Sequence, residues 1–281
     1  MQHQAGQTHA PDGVRLYTQA WQPDGAPKAA IGFIHGQAEH SGRYHRLAHA
    51  LADAGYAMFM IDLRGHGKSD GARGHINRIT DYLQDAAAAL DGARSLAPGA
   101  LPFLGGHSLG GQIALRYALG HPEELRGVVA SGPFLRLALV PPPELVAIGR
   151  TTSSVIPGLT FSNQLNSSLL SHDKAVVEAY DSDPLVHGKV TARAYTELIA
   201  GGEYLLEHAG AFKLPLLLMH GDEDGLCDPA AVRTFYERIG SEDCTYHVYK
   251  GFYHEIFNEI EKEKPLADLI AWLDARCDSD A

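Results

Sequence analysis

The sequence predicts an α/β fold with a mostly parallel sheet flanked by helices and one inserted segment. Three observations support this prediction. Short apolar segments alternate with segments of helical spacing, as in repeated βαβ units. The alternation breaks once, after Gly132-Pro133, and returns near residue 190. The chain has 281 residues, of which 45% are hydrophobic and 20% charged, which suits one large domain with a sizeable core.

The first third of the chain contains three predicted strands and two predicted helices. The strands are short and apolar and end at turn residues, as buried strands do. The helices have apolar residues at helical spacing and are followed by glycine or proline. In chain order these elements are the weakly alternating strand Val14–Trp21, the strand Ala29–His35, the helix His45–Ala54, the strand Tyr56–Ile61 and the helix Asp81–Leu96.

The rest of the chain repeats this alternation around the break. We predict four strands and three helices by the same criteria. They are the strand Leu101–Leu104, the helix Gln112–Leu119, the strand Gly127–Ser131, the helix Val190–His208, the strand Leu214–His220, the strand Thr245–Tyr249 and the closing helix Pro265–Leu273.

The break in the alternation indicates an insertion. Leu135–Val140 is apolar, three prolines follow, and a mixed segment runs to about Pro184 without further βα rhythm. We interpret it as a segment placed over one end of the sheet.

Composition excludes several classes of function. The formal net charge is −11 and no dense basic cluster is present, so nucleic acid is not an expected partner. No apolar stretch approaches the ~18 residues of a membrane span, and the first residues do not follow a signal-peptide pattern. The three cysteines are sparse and lack C-x-x-C spacing, which argues against disulfides and structural zinc. We therefore expect reduced thiols and a cytoplasmic protein.

Ser108 is the candidate nucleophile. It lies at the centre of Gly106-His107-Ser108-Leu109-Gly110, between a predicted strand and a predicted helix. In this context a very tight turn strains the serine backbone and exposes its Oγ above the sheet. The alternative, an ordinary glycine-rich turn with an N-cap serine, does not require both flanking elements.

A serine nucleophile needs a base and an orienting carboxylate, which follow it in the order acid then histidine in this kind of fold. Four acidic residues lie just beyond the strand Leu214–His220, and their distance from the strand end favours Asp224. His254 follows the last strand at the same sheet edge, and we predict it as the base because of its position and order. The competing carboxylates are Asp222, Glu223 and Asp228.

The oxyanion of a tetrahedral intermediate needs two preorganised N–H donors. The residue after the nucleophile, Leu109, supplies the first. The second is expected from the loop His35–His40, where the His-Gly pair lets the chain turn towards Ser108, so that the Gln37 N–H is the candidate.

No cofactor and no metal are expected. His45 and His49 have a helical spacing that can bind a metal, but position 46 is arginine rather than the glutamate of an H-E-x-x-H site. We interpret the two histidines as part of a solvated helix face.

Several segments together resemble the monoacylglycerol lipase and lysophospholipase branch of the α/β-hydrolase fold. The resemblance covers nearly the whole chain, from about Asp12 to Leu273. The nucleophile turn is common to the superfamily, whereas His-Ser-Gly-Arg-Tyr and Gly-Leu-Cys-Asp are narrower and indicate monoglyceride lipases. The segments are Phe33–Tyr44, Asp62–Ser69, Gly105–Gly111, Ser182–Leu185, His220–Asp228 and Gly251–His254.

The resemblance implies a set of site residues. It implies the triad Ser108, Asp224 and His254, with Gln37 and Leu109 as oxyanion donors. It also implies that five side chains lie near the polar head of the substrate, and that Cys227 lies close to the active site. Gln37 and Leu109 differ from the residues often found there, which affects the shape of the pocket but not the backbone donors. The five side chains are Glu39, Arg43, Tyr44, His107 and Tyr180.

The resemblance also implies a lid, a function and a location. The lid, or cap, covers residues 134–187, and residues 1–133 and 188–281 form the hydrolase core. The expected reaction is hydrolysis of monoacylglycerols to fatty acid and glycerol through an acyl-enzyme on Ser108. The alternatives are a lysophospholipase or general carboxylesterase, and a non-catalytic ligand-binding protein of the same fold. The cap is expected to line an acyl tunnel and to touch a membrane surface transiently, which makes the cytoplasmic protein peripheral there.

Overall fold

A computed structural model describes residues 1–139, 142–163 and 165–277, with only the backbone described for residues 143, 145 and 146. Within these residues eight strands form the main sheet, in the order β1-β2-β4-β3-β5-β6-β9-β10, and β7 pairs with β8 separately. β2 runs antiparallel to both of its neighbours, β1 and β4, and the other neighbouring pairs of the main sheet are parallel. The strands are β1 (Gln2–His9), β2 (Arg15–Gln22), β3 (Ala30–Ile34), β4 (Ala57–Ile61), β5 (Phe103–His107), β6 (Gly127–Ser131), β7 (Thr160–Ser162), β8 (Lys189–Thr191), β9 (Leu216–Gly221) and β10 (Cys244–Tyr249).

Helices cover both faces of the sheet. The described helices are α1 (His45–Asp53), α2 (Ile79–Leu96), α3 (Leu109–Gly120), α4 (Pro143–Val155), α5 (Lys174–Ser182), α6 (Ala192–His208), α7 (Pro229–Arg238) and α8 (Glu263–Cys277). The predicted α/β-hydrolase fold, a mostly parallel sheet flanked by helices, is therefore confirmed.

The alternation of side chains along each strand divides the core into two layers. On β3, Ile31 and Phe33 pack with α1 and α8, whereas Ile34 packs on the opposite face with α2 and α3. Gly32 lies on that second face, where a Cβ would come within 3.2 Å of the Ala89 carbonyl oxygen of α2. Continuous apolar strands are thus required because both faces of the sheet are covered.

β1 and α7 are the two elements of the hydrolase core, besides the short β8, that were missed from the sequence. β1 is entirely polar apart from one alanine and is largely exposed, so it carries no hydrophobic periodicity; backbone pairing with β2 along its whole length holds it in place. α7 begins at Pro229 with Asp228 as its N-cap, whose carboxylate accepts the Ala230 N–H at 2.9 Å. The predicted helix 190–208 is shorter than expected, because Lys189–Thr191 forms β8 and Thr191 caps α6.

The predicted insertion contains α4, β7, α5 and connecting segments. Val140, Pro141 and Gln164 of the insertion lie outside the described residues, and so do the side chains of Leu145 and Val146. α4 packs on α6, which follows the insertion.

Among the described residues, no helix combines the length and apolar character needed to cross a bilayer.

Candidate active site

The turn between β5 and α3 has the geometry of a nucleophile elbow. Ser108 adopts φ 55° and ψ −116°, a conformation that side chains rarely tolerate. The flanking glycines are required by space: a Cβ on Gly106 would lie 2.2 Å from the backbone of Gly110, and one on Gly110 would lie 2.0 Å from the Ile34 carbonyl oxygen. The sequence folds in this way because only glycine allows β5, α3 and β3 to approach so closely.

Backbone strain marks a second loop beside the first. In the described part of the chain, Ala38 (φ 67°) and Ser108 are the only non-glycine residues with positive φ. Ala38 is buried and belongs to the loop that follows β3. Gly36 of this loop lies against the nucleophile turn, since a Cβ there would be 3.3 Å from the Ser108 Cβ. Strain of this kind concentrates at functional sites, which supports both predictions.

Asp224 and His254 form the expected acid–imidazole pair. Nδ1 of His254 lies 2.7 Å from Oδ2 of Asp224, and both side chains are buried. Oδ1 of Asp224 accepts the backbone N–H groups of Leu226 (2.8 Å) and Cys227 (2.9 Å), so the loop itself orients the carboxylate. Two of the three competing acids are engaged elsewhere: Asp222 accepts the Gly251 N–H, and Asp228 caps α7.

The surroundings of His254 favour its charged form. Burial alone would lower the pKa of His254, but the charge and hydrogen bond of Asp224, together with Glu255 and Glu39, raise it above the ordinary value of 6.5. Burial opposes the charge on Asp224 as well, yet His254 and His220 hold the pKa of that carboxyl well below its usual range. Burial and the neighbouring His254 lower the pKa of His107 to about 3, so His107 stays neutral.

The raised pKa of His254 predicts a pH profile. A protonated imidazole cannot accept the Ser108 proton, so we expect kcat/KM to fall with decreasing pH through a midpoint above 6.5, the ordinary value for histidine. The measurement is kcat/KM for an uncharged ester as a function of pH, because this ratio reports the pKa of the base in the free enzyme. A midpoint at or below the ordinary value would contradict this reading of the site.

Ser108 Oγ has one polar contact among the described residues, at 3.9 Å to the Sγ of Cys227. That Sγ lies within 4.8 Å of ring and carboxylate atoms of His254 and Asp224, and the ring of His107, which precedes Ser108 in the chain, packs against His254. Ser108 Oγ and His254 form no hydrogen bond in the part of the chain that the structure describes, and in ligand-free hydrolases this bond often forms only with substrate. Burial and the charge of Asp224 raise the pKa of the Cys227 thiol well above its usual value, so Cys227 is protonated and a weak nucleophile.

The predicted oxyanion donors border the nucleophile. Leu109 is the first residue of α3, and Gln37 lies between Gly36 and the strained Ala38. Neither backbone N–H donates to another described residue. The Gln37 side chain is unusual, because both of its amide atoms are buried without a partner in the described part of the chain.

Glu39, Arg43 and Tyr44 form one buried network. Glu39 Oε1 accepts the Gly36 N–H and the Tyr44 hydroxyl, each at 2.6 Å, and Oε2 pairs with Arg43. Arg43 also binds Glu255 through two N–H groups at 2.7 and 2.9 Å. Arg43 therefore links the loop of Gln37 to the residue that follows His254.

The other two predicted head-group residues lie at the edges of this network. The Tyr180 ring stacks on the Arg43 guanidinium at 4.7 Å, and the His107 ring packs against His254 at 4.5 Å. The structure thus brings the five side chains together, but the polar groups of Glu39, Arg43 and Tyr44 are satisfied by one another. Their contact with a substrate stays a prediction.

Removing the guanidinium from this network is expected to destabilise the fold. Arg43, Glu39 and Glu255 side chains are at most 10% exposed, so Arg43→Met leaves two carboxylates buried without their cation. The expected loss is about 3–5 kcal/mol in the free energy of unfolding, measured with urea. The control is Arg94→Met, whose partially exposed ion pairs with Asp91 and Glu124 should be worth at most about 1 kcal/mol. Equal losses in the two variants would contradict the prediction.

The insertion contacts every loop of the site. The His254 and Glu255 N–H groups donate to the carbonyls of Leu169 and Leu170 at 3.4 and 2.8 Å. Asp183 accepts from His40 at 2.8 Å, and the His187 N–H donates to the Ala38 carbonyl at 3.0 Å.

Sequence reasoning missed two residues. His220 contacts Asp224, and its signal was a histidine four residues before the acid, at the end of β9. Glu255 pairs with Arg43, and only its place next to His254 could have indicated it.

By distance alone, Asp224, Cys227 and His254 could also hold a metal ion. The Asp224 oxygens, however, already accept four N–H groups. The thiol is held protonated, whereas a metal needs a thiolate. The donor set therefore suits a hydrogen-bonded acid–base pair better than a metal.

A strained serine above a mostly parallel sheet, with an Asp–His pair at the same edge, defines a serine hydrolase of the α/β-hydrolase fold. The family described as "Serine aminopeptidase, S33" matches residues 25–261, and the chain belongs to this family.

Three similar proteins cover most of the chain. A monoacylglycerol lipase of Mycolicibacterium smegmatis is 37% identical over 262 residues, which are 93% of each chain. Phospholipase YtpA of Bacillus subtilis is 34% identical over 246 residues, 86% of this chain and 93% of that protein. The crystal structure of the Paleococcus ferrophilus monoacylglycerol lipase superposes with a TM-score of 0.85 at 34% identity, covering 93% of this chain and 99% of that one.

Proposed function

We propose that the chain is a carboxylic ester hydrolase that cleaves monoacylglycerols to free fatty acid and glycerol. Ser108, His254 and Asp224 act as the triad, and the N–H groups of Gln37 and Leu109 form the oxyanion hole. The observation that carries the proposal is the strained Ser108, whose neighbour His107 packs against His254 of the buried Asp224–His254 pair, in a chain similar to a monoacylglycerol lipase over 93% of its length.

The geometry suggests a two-step acyl transfer. Ser108 Oγ attacks the ester carbonyl carbon while His254 Nε2 takes its proton, and the oxyanion accepts hydrogen bonds from Gln37 and Leu109. His254 then gives the proton to the glycerol oxygen as the C–O bond breaks, leaving an acyl-enzyme. Water repeats the sequence, with His254 as base, and releases the fatty acid.

We further propose that residues 134–187 act as a cap that lines the acyl tunnel and touches membrane lipid transiently. The support is a set of apolar side chains in this segment that are exposed by 42–84%. Soluble proteins expose few such groups together unless they serve binding. The side chains are Leu139, Ile148, Val155, Ile156, Leu159 and Phe161.

The polar head of the substrate is proposed to meet the face formed by Glu39, Arg43, Tyr44, His107 and Tyr180. The Arg43 network keeps this face rigid, and the Tyr180 hydroxyl donates to none of the described residues. A glycerol hydroxyl could therefore pair with Tyr180 without breaking the buried ion pairs.

A second candidate keeps the chemistry and changes the head group. The similarity to a phospholipase of Bacillus subtilis favours a lysophospholipase activity.

A hydrolysis panel tests the proposal. Monoacylglycerols, lysophosphatidylcholines and p-nitrophenyl esters are compared by kcat/KM across acyl-chain length. Preference for monoacylglycerols is expected, and equal or better rates on lysophosphatidylcholine would favour the second candidate. Failure of a fluorophosphonate to label Ser108 would overturn the enzyme assignment and leave a ligand-binding role.

A further inference from the structure

A second histidine binds the carboxylate of the proposed triad. His220 lies in β9, one residue before its end, and its side chain is fully buried. Its Nε2 lies 2.9 Å from Oδ2 of Asp224, the same oxygen that lies 2.7 Å from Nδ1 of His254. With the two backbone donors on Oδ1, all hydrogen-bonding directions of this carboxylate are fixed by the protein.

The position of the protons follows from these contacts. A charged carboxylate only accepts hydrogen bonds, so both imidazole nitrogens that face Oδ2 carry a proton. His254 is therefore the Nδ1–H tautomer and keeps Nε2 free for Ser108. His220 carries its proton on Nε2, and its Nδ1 is buried without a partner in the described part of the chain. Nε2–H is therefore the group through which His220 donates a hydrogen bond among the described residues.

The same contacts exclude His220 as the base. Its one nitrogen with a partner faces Asp224, and the other is enclosed. His254 instead packs against His107, which precedes the nucleophile. The two imidazoles share one acceptor but have different roles.

We propose that His220 is a positioning residue that holds Asp224 in the orientation required by His254 and weakens the basicity of Oδ2. The inference rests on the proposed function, because it describes how the triad is adjusted. A donor on Oδ2 withdraws negative charge from the oxygen that stabilises the imidazolium form of His254. Without this donor, Asp224 would bind the His254 proton more tightly, and His254 would become protonated at higher pH.

The other charged groups around His254 are left unchanged by a substitution at His220. His254 faces Asp224 and Cys227 on the loop after β9, His107 at the end of β5, Glu255 on its own loop and Glu39 on the loop after β3. Among the described residues, Asp224 is the titratable group hydrogen-bonded to His220.

The test compares two amides of different length. His220→Gln can place an amide N–H near the position of Nε2, whereas His220→Asn is too short to reach Asp224. We expect the acid midpoint of kcat/KM to rise by about 0.5–1 pH unit in His220→Asn, with a plateau about tenfold lower, and to stay close to wild type in His220→Gln. His220→Leu, if it folds, should behave as His220→Asn. Met219→Leu, a buried apolar exchange on the same strand, controls for a general disturbance of β9.

A readout without turnover separates the inference from the proposed function. The Nδ1–H proton of His254 is followed by NMR, and its resonance should move to lower field in His220→Asn but not in His220→Gln. If His220→Asn and His220→Gln have the same acid midpoint of kcat/KM and the same His254 Nδ1–H resonance, the inference is overturned. This holds even if the plateau of kcat/KM falls in one of them. Wild-type protein that hydrolyses no ester would overturn the proposed function and still leave the NMR comparison decisive for His220.

Discussion

Replacing Ser108 with alanine is expected to reduce kcat for ester hydrolysis by about 10⁴–10⁶-fold, because no other group can form the acyl-enzyme. Cys227, at 3.9 Å, cannot substitute, since its thiol is buried and protonated. The measurement is single-turnover hydrolysis of a monoacylglycerol, together with mass spectrometry after fluorophosphonate treatment. Wild-type protein should gain one adduct on Ser108.

The matched control is Ser95→Ala. Ser95 lies in α2, and its hydroxyl donates to a carbonyl of its own helix at 2.6 Å. This variant should retain wild-type rates and labelling. Substantial turnover in Ser108→Ala with normal folding would mean that the nucleophile is wrongly assigned.

Replacing Asp224 with asparagine is expected to lower kcat by about 10⁴-fold. The amide can donate where the carboxylate accepted, so it favours the His254 tautomer with its proton on Nε2, which cannot take a proton from Ser108. The charge that stabilises the imidazolium is lost as well. We expect the effect mainly in kcat, measured under saturating substrate, with little change in substrate affinity.

Asp222→Asn is the control for this loop. Asp222 lies two residues before Asp224, and its carboxylate accepts the Gly251 N–H at 2.6 Å. Losing this carboxylate therefore shows the effect of disturbing the loop while the proposed triad stays intact. Asp224 also orders the loop through Leu226 and Cys227, so unfolding by urea must be measured in parallel. A larger kcat loss in Asp222→Asn than in Asp224→Asn would reverse the choice between the two acids.

The sequence predicted those parts of the fold that depend on burial and backbone sterics. β3, β4, β6 and β9 are buried along their whole length or nearly so, and their apolar runs identified them. β1 could not be found in this way, because edge pairing uses backbone groups that every residue has. Chain order and strand ends singled out Asp224 and His254 among many acids and histidines, and the structure joins the two side chains by a hydrogen bond. Their catalytic roles stay a prediction.

The contacts between side chains were less predictable. The resemblance grouped Glu39, Arg43 and Tyr44 as residues near a head group, but did not indicate that they bind one another. Their arrangement depends on Glu255, which lies 212 residues away from Arg43 in the chain. The pairing of Arg43 with Glu255 produces no local periodicity in the sequence, so it is seen only in a structure that places the two loops side by side.

The two strained residues carry a consequence for evolution. Ser108 and Ala38 each hold a backbone conformation that costs of order 1–3 kcal/mol, against a typical net stability of about 5–15 kcal/mol for a folded domain. Selection for fold stability alone would replace both residues with glycine, and the replacement of Ser108 would remove the serine hydroxyl. The buried ion pairs and the packed sheet supply the stability that offsets this strain. In a lineage whose fold becomes less stable, we therefore expect substitutions that relieve the strain, and with them a loss of activity before a loss of the fold.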